Sequence, residues 1–274
     1  MSNAMIQAAV TMNQLQNKLD VIGNNLANSE TTGYKSRQAN FASLLFQQMD
    51  NMTDPANAEE RLTPDGIRIG TGAKLGSVSA NLSTGTISET DRILDTALLE
   101  DHHLFQIQVT ENGVTETQYT RDGAFYLNPV NNDQSVMLTT QEGHPVLGEN
   151  GPIIIPTDFE DVQIQPNGEI TVQRGTQIEQ VGNISVVEAA RPRTLEATGQ
   201  NAFRIPDGAD GNMGEMIRDV PGQAAVLQSG ALEKSNVDNS KQMTDMISAQ
   251  RSYQSNARTI SMGDQMSGLI NQLR

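Results

Sequence analysis

The sequence predicts an α+β protein, helical at both ends and antiparallel β in the middle, and three observations carry that reading. All ten prolines lie between Pro55 and Pro221, so only the two ends can hold long uninterrupted helices. Both ends repeat apolar residues at alternating intervals of three and four, as an a/d heptad seam does. The stretch between them alternates short β-rich runs with Gly, Pro and Asn pairs.

In chain order, Met1-Ser2-Asn3-Ala4 reads as a cloning scar, and the first seam starts at Met5. It continues through Ala8, Met12, Leu15, Leu19, Ile22 and Leu26. Asn24-Asn25, Asn28-Ser29 and Thr31-Thr32-Gly33 then supply turn chemistry, and Phe41, Leu44, Leu45 and Met49 predict a short second amphipathic helix. From about Asp50 to Thr63 the chain is polar and without strong period, which reads as a linker or extended arm. The runs Leu104–Val109, Val162–Ile164 and Ile184–Val187 are expected strands, with Asn112-Gly113, Asp122-Gly123 and Asn167-Gly168 as hairpin turns. At the far end Met243, Met246, Gln250, Tyr253, Ala257 and Ile260 form the second seam, before the stripe shifts to Met262, Met266, Leu269 and Leu273 like a stutter. The expected organisation is a terminal helical domain of residues 1–50 and 223–274, a linker or arm of 51–80, and a β-rich domain of 81–222.

Composition narrows the function. The absence of cysteine removes disulfides, thiolate metal sites and Cys nucleophiles. No charged start followed by an apolar core marks a cleavable signal, and no run of about 18 apolar residues marks a membrane span. The net charge of -15 is uneven: residues 1–48 and 231–274 each carry +1, so the middle holds -17. That field disfavours nucleic acid and anionic membrane as partners, since phosphate binding needs clustered Lys and Arg.

No catalytic, cofactor or metal site is expected. His102 and His103 stand beside Glu100 and Asp101, but neighbouring residues on a strand face opposite ways and their imidazoles would diverge. Asp158, Glu160 and Asp161 could serve acid–base hydrolysis, yet in a chain with 33 acidic residues such groups are usually solvated. Neither a Gly-x-Ser-x-Gly elbow nor a phosphate-binding glycine loop is present.

The stretch from Leu19 through Asn28, continuing to Thr31-Thr32-Gly33-Tyr34-Lys35, closely resembles the N-terminal signature of the flagellar basal-body rod and hook axial proteins. Tyr119–Phe125 resembles the family's β-region block. Met246-Ile247, Gln250–Tyr253 and Asp264–Met266 resemble its C-terminal block. The block Leu62–Gly72 is more similar to the distal-rod branch than to the hook branch. Two places depart from the family pattern, Glu100–Phe105 and Asn239-Ser240-Lys241.

The resemblance implies a structural subunit of the distal rod, its terminal helices pairing in a coiled-coil-like inner layer with the β domain outside. Polymerising helically, it would transmit torque from motor to hook. Copies of itself, other rod and hook proteins and the flagellar type III export machinery would be its partners. Export would need no cleavable signal peptide, and the basal body would be its location. Subunit contacts are expected at Leu15, Leu19, Ile22, Asn24, Asn25, Leu26, Asn28, Gly33 and Tyr34, and at Met246, Ile247, Gln250, Tyr253, Ala257, Ile260 and Met266. The alternatives are a hook or proximal-rod subunit, or a secreted coiled-coil adaptor with a β-rich binding domain.

Overall fold

A computed structural model describes residues 3–43, 46–49, 67–70, 73–111, 113–130, 134–199, 201–206, 213–221 and 227–272. Helix α1 (Asn3–Ala27) is followed by strands β1 (Arg37–Ser43), β2 (Phe46–Met49), β3 (Ile67–Gly70) and β4 (Ala73–Ala80). Next come β5 (Ile87–Glu89), β6 (Thr96–Leu98), β7 (His103–Glu111), β8 (Val114–Thr120), β9 (Tyr126–Val130) and β10 (Ser135–Thr139). Short strands β11 (Leu147–Gly148), β12 (Gly151–Pro152) and β13 (Ile154–Pro156) lead to β14 (Asp161–Ile164), β15 (Glu169–Arg174), β16 (Gln177–Asn183) and β17 (Val186–Ala189). The chain then forms β18 (Glu196–Gly199), β19 (Ala202–Arg204), α2 (Met213–Met216), β20 (Ile217–Asp219), β21 (Leu227–Ser229), β22 (Ala231–Glu233) and α3 (Asn239–Gln272). The fold is therefore α+β, with a helix at each end and antiparallel strands between.

Two compact units result. The first comprises Met1–Asn24, Ala39–Val78 and Ser240–Arg274; the second comprises Asn25–Gln38 and Ser79–Asn239. The boundaries expected from sequence fell near residues 50, 80 and 222.

In the first unit, α1 turns Ile6, Ala9, Asn13, Gln16, Asp20 and Asn24 outward at three-four intervals, while Ala8 and Ile22 are buried and Met12, Leu15 and Leu19 half-buried. On α3 the sheltered stripe is Met246, Ala249, Tyr253, Ala257 and Ile260, with Ala249 buried and the others half-buried. Gly263 approaches α1 so closely that an added Cβ would lie 2.8 Å from Met5 Cγ. Small residues allow such approach because they carry little side-chain bulk.

The second amphipathic helix expected around Phe41, Leu44, Leu45 and Met49 does not form. Arg37–Ser43 and Phe46–Met49 are strands, and Leu44 and Leu45 lie outside the described residues. The reason is tertiary: β2 pairs antiparallel with β3 from Phe46↔Gly70 to Met49↔Ile67, and β1 pairs with β4. Pairing of this kind routinely overrides a local helical period. The expected linker accordingly contains β3 and β4; its residues 51–66 lie outside the described ones.

The second unit is built on a sheet of order β18-β19-β8-β7-β17-β20, with smaller sheets β13-β10-β9 and β14-β15-β16. Along β7, Phe105, Ile107 and Val109 face a large core shared with Leu138, Ile155, Ile170 and Val172, whereas Leu104 faces a second core with Leu82, Tyr119, Val187 and Phe203. This alternation follows from the two-residue period of a strand. Edge-to-face packing of Phe105 on Phe125, centroids 5.1 Å apart, anchors the larger core despite the scarcity of aromatics. Gly113 (φ 82) closes the β7–β8 hairpin and Gly168 (φ 86) the β14–β15 hairpin. Asp122-Gly123 makes no hairpin: Gly123 runs against β6, where its carbonyl accepts from Thr96 N at 3.0 Å, and the Thr96 carbonyl leaves no room for a Cβ.

Candidate functional site

Three segments remote in sequence meet inside the second unit through buried, mutually bonded polar groups. The last turn of α1 begins the junction. Asn25, only 1% exposed, donates from Nδ2 to the Arg37 carbonyl at 2.8 Å. Its Oδ1 accepts from Arg37 N at 2.8 Å and from the Tyr34 hydroxyl at 3.1 Å. One side-chain amide thus does for the loop 28–36 what a neighbouring strand would do. Burial raises the Tyr34 hydroxyl above its ordinary pKa, against an opposing influence from Arg37. Asn28 accepts from Thr31 N at 3.2 Å through its carbonyl and from Thr31 Oγ1 at 3.3 Å through its side chain, tightening the same turn.

Gly33 has φ 65, and a Cβ there would lie 2.5 Å from Asp122 N. Only glycine allows both the left-handed conformation and the approach. Its N–H donates to the Glu233 carbonyl at 2.9 Å, joining the segment after α1 to the segment before α3. Asn236 repeats the join: its Oδ1 accepts from Ser36 N at 2.8 Å, and its Nδ2 donates to the carbonyls of Asn81 and Ser83 at 2.9 and 3.0 Å.

At the centre two cations share one carboxylate. Lys35 Nζ lies 2.6 Å from Glu233 Oε1 and Arg121 Nε lies 2.6 Å from Oε2, with all three side chains at most 1% exposed. Glu233 Oε1 also accepts from Gly85 N. The surplus positive charge is offset by oriented carbonyls: Lys35 donates to Ser83 O at 2.6 Å, and Arg121 donates to His103 O at 2.8 Å and Leu98 O at 3.2 Å. Loss of solvation, reinforced by repulsion from Arg121, lowers the Lys35 ammonium to about 8 against the pull of Glu233. Lys35 therefore stays mainly charged at neutral pH.

Asp122, next to Arg121, is raised to about 6, chiefly by burial and against hydrogen bonds from Ala124 N and the Thr32 hydroxyl. Between its ordinary 3.8 and about 6, the native chain holds a proton that the unfolded chain has released. Stability from this group consequently declines as pH rises through that window. Asp122→Asn should remove the decline: in urea denaturation, the variant should gain on the parent between about pH 4 and pH 6 and keep the gain above it.

The sites expected from sequence divide into two sets. Asn25, Gly33 and Tyr34 enter the junction and Asn28 flanks it, whereas Asn24 is exposed. Leu15, Leu19, Ile22 and Leu26 line α1, and Met246, Tyr253, Ala257 and Ile260 line α3, apart from the junction. Gln250, Ile247 and Met266 are exposed, and Ala249 rather than Gln250 is the buried position of its turn. Sequence reasoning missed Glu233 and Asn236 altogether, and it placed Lys35 and Arg121 in motifs without giving them a role. Glu233 had one available signal, a lone acid in the alternating Ala231-Leu232-Glu233 strand that carries the buried pattern. His102, with φ 64, is exposed at the turn before β7, while burial lowers His103 below its usual pKa. Among the described residues no cluster of three or more His, Cys, Asp or Glu is placed to hold a metal, and no helix is long and apolar enough to cross a membrane. The junction holds chain segments together; its Lys35 is sealed from any substrate.

Comparison with known proteins places one member of the ion triad in each of three matched segments. Residues 5–35 match the family model described as flagella basal body rod protein. Residues 100–172 match that of the flagellar hook protein FlgE/F/G D1 domain, and residues 228–273 that of the flagellar basal body rod FlgEFG protein C-terminal. The chain is 42% identical to the flagellar hook-basal body complex protein FlhP of Bacillus subtilis, over 100% of both chains. It is 35% identical to the flagellar basal-body rod protein FlgG of Agrobacterium fabrum over 97% of each, and 34% identical to FlgG of Bacillus subtilis over 93% of this chain and 92% of that one.

Proposed function

The chain belongs to the flagellar basal-body rod protein family, and from that premise we propose that it polymerises helically through its terminal helices in the distal rod. It is a structural component of the basal-body rod and not an enzyme. In this reading α1 and α3 pair as a coiled-coil-like layer, adjoin the same helices of other copies, and carry torque from motor to hook. Contacts with other rod and hook proteins, and passage through the flagellar type III export machinery without a cleavable signal, complete it.

One observation supports the reading above others: among the described residues, α3 carries a set of exposed apolar side chains. Met243, Ile247, Met262, Met266, Leu269 and Ile270 are 51–67% exposed on one helix. A soluble chain seldom leaves such a stripe to water unless another surface covers it. Covering it with further copies, each offering a different face above and below, extends a helical tube instead of closing a ring. A position elsewhere in the hook-basal body is the second reading, favoured by the identity to FlhP.

Electron microscopy of purified basal bodies carrying a labelled copy tests both. Label along the rod just below the hook is the expected result. Label in the hook or at the motor end would replace the distal assignment, and unlabelled basal bodies would remove the rod assignment itself.

A further inference from the structure

The β-rich unit carries an arginine-lined cleft and an acidic hairpin at opposite ends of one strand. At the start of β7, His102 lines an open cleft of about 650 Å³ together with Arg191, Pro192, Arg193, Ala80 and Leu82. The cleft lies there because β17 runs antiparallel to β7 with Glu188 opposite His103, so the chain beyond Ala189 emerges past that end. No acid is among the residues lining the cleft. Nearby, Glu215 pairs with Arg191 at 3.1 Å in a solvent-exposed bridge, while Asp101 accepts from Thr84 N and Oγ1, and Glu100 is exposed. Exposed bridges of that kind exchange partners at little cost.

At the other end, the β7–β8 hairpin presents Val114, 60% exposed, between the exposed carboxylates of Glu111 and Glu116. Glu111 lies opposite Val114 and Glu116 opposite Val109, so both acids share a face with Val109. Val109 belongs to the larger core and Leu82 to the smaller one, which places hairpin tip and cleft on opposite faces of the sheet as well. Along nine residues of β7 the two ends are roughly 30 Å apart. A hairpin with two exposed carboxylates beside Val114 suits a cleft that offers two arginines, one of them bridged to Glu215, among Ala80 and Pro192 and the polar Gln38, Ser79, Asn81 and Thr194, yet the two cannot meet within one chain.

We propose that the β7–β8 hairpin tip of one copy docks in the Arg191–Arg193 cleft of the next, stacking the β units head to tail. The contact is heterologous, using two different surfaces, and therefore continues from copy to copy without closing. Its inference rests on the reading of the chain as a self-assembling rod subunit and adds a second contact to it, independent of the terminal helices. Charge complementarity of this kind selects partner and register more than it adds raw affinity.

Because the chain has no cysteine, introduced thiols report this contact without background. The full chain carrying Arg193→Cys together with Val114→Cys, concentrated and mildly oxidised, should give a ladder of disulfide-linked copies, and either change alone should give at most a dimer. Adding Arg191→Glu should reduce the ladder about tenfold or more, and adding Glu111→Lys and Glu116→Lys to that chain should restore it. No ladder from the doubly thiolated chain, or a ladder indifferent to charge reversal, overturns the proposal. Leu19→Asp in the same background separates the two readings: a ladder that persists when the helical seam is broken keeps the cleft contact, and intact rods from the charge-reversed chain remove it.

Discussion

Glu233→Gln should cost the protein about 3–5 kcal/mol, the loss expected when one partner of a buried ion pair is removed and charge is left uncompensated. The carboxamide keeps the shape but leaves Lys35 and Arg121, both sealed from water, facing one another with no anion between them. The order of effects is the sharper test. Lys35→Met should cost much less, because it leaves one cation paired with one carboxylate and replaces an ammonium already disfavoured by burial. Raising the pH from about 8 to about 10 should widen the gap between the Lys35 parent and its Met variant. In that window the native chain has released the Lys35 proton while the unfolded chain still holds it, so stability contributed by this group rises. Urea denaturation followed by circular dichroism reads both comparisons. Equal losses from Glu233→Gln and Lys35→Met would mean that the triad is not the linkage described above.

Leu19→Asp or Ile260→Asp should abolish rod assembly and motility while leaving the β-rich unit folded. Each side chain is half-buried in the single chain, so a carboxylate there reaches water with modest loss. In an assembled tube the same carboxylate would be buried without a partner, at a cost of several kcal/mol per subunit repeated in every copy. Met266→Asp supplies a stricter form, since Met266 is 63% exposed and its change should be silent in the isolated chain. Sedimentation of the purified variants, swimming assays and counts of completed basal bodies measure these effects. Normal rods from the Leu19 or Ile260 variant would show that the terminal seams do not join subunits.

Both predictions arise from places where short-range pattern and long-range contact diverge. Heptad spacing made α1 and α3 legible because a repeat of three and four residues marks one face of a helix whatever lies opposite it. The same spacing over Phe41–Met49 misled, because β2 and β3 pair across a separation in the chain that no local period records. Asn167-Gly168 turned a hairpin as its residues suggest, while Asp122-Gly123, just as suggestive, became a close crossing against β6. A dipeptide specifies the backbone angles it tolerates, and the neighbouring strand decides what those angles are used for.

By itself, then, the amino-acid sequence determined the helical ends, the β-rich middle and the family, since each rests on periods, punctuation and motifs contained within short windows. Only the tertiary structure decided that Lys35, Arg121 and Glu233 form one buried cluster. Two long cations and one carboxylate, spread over 198 residues of separation, look like ordinary surface charge until folding strips their water. Their cost and their partnership exist only in the desolvated interior, where removing solvent makes an unpaired charge expensive and a paired one directional.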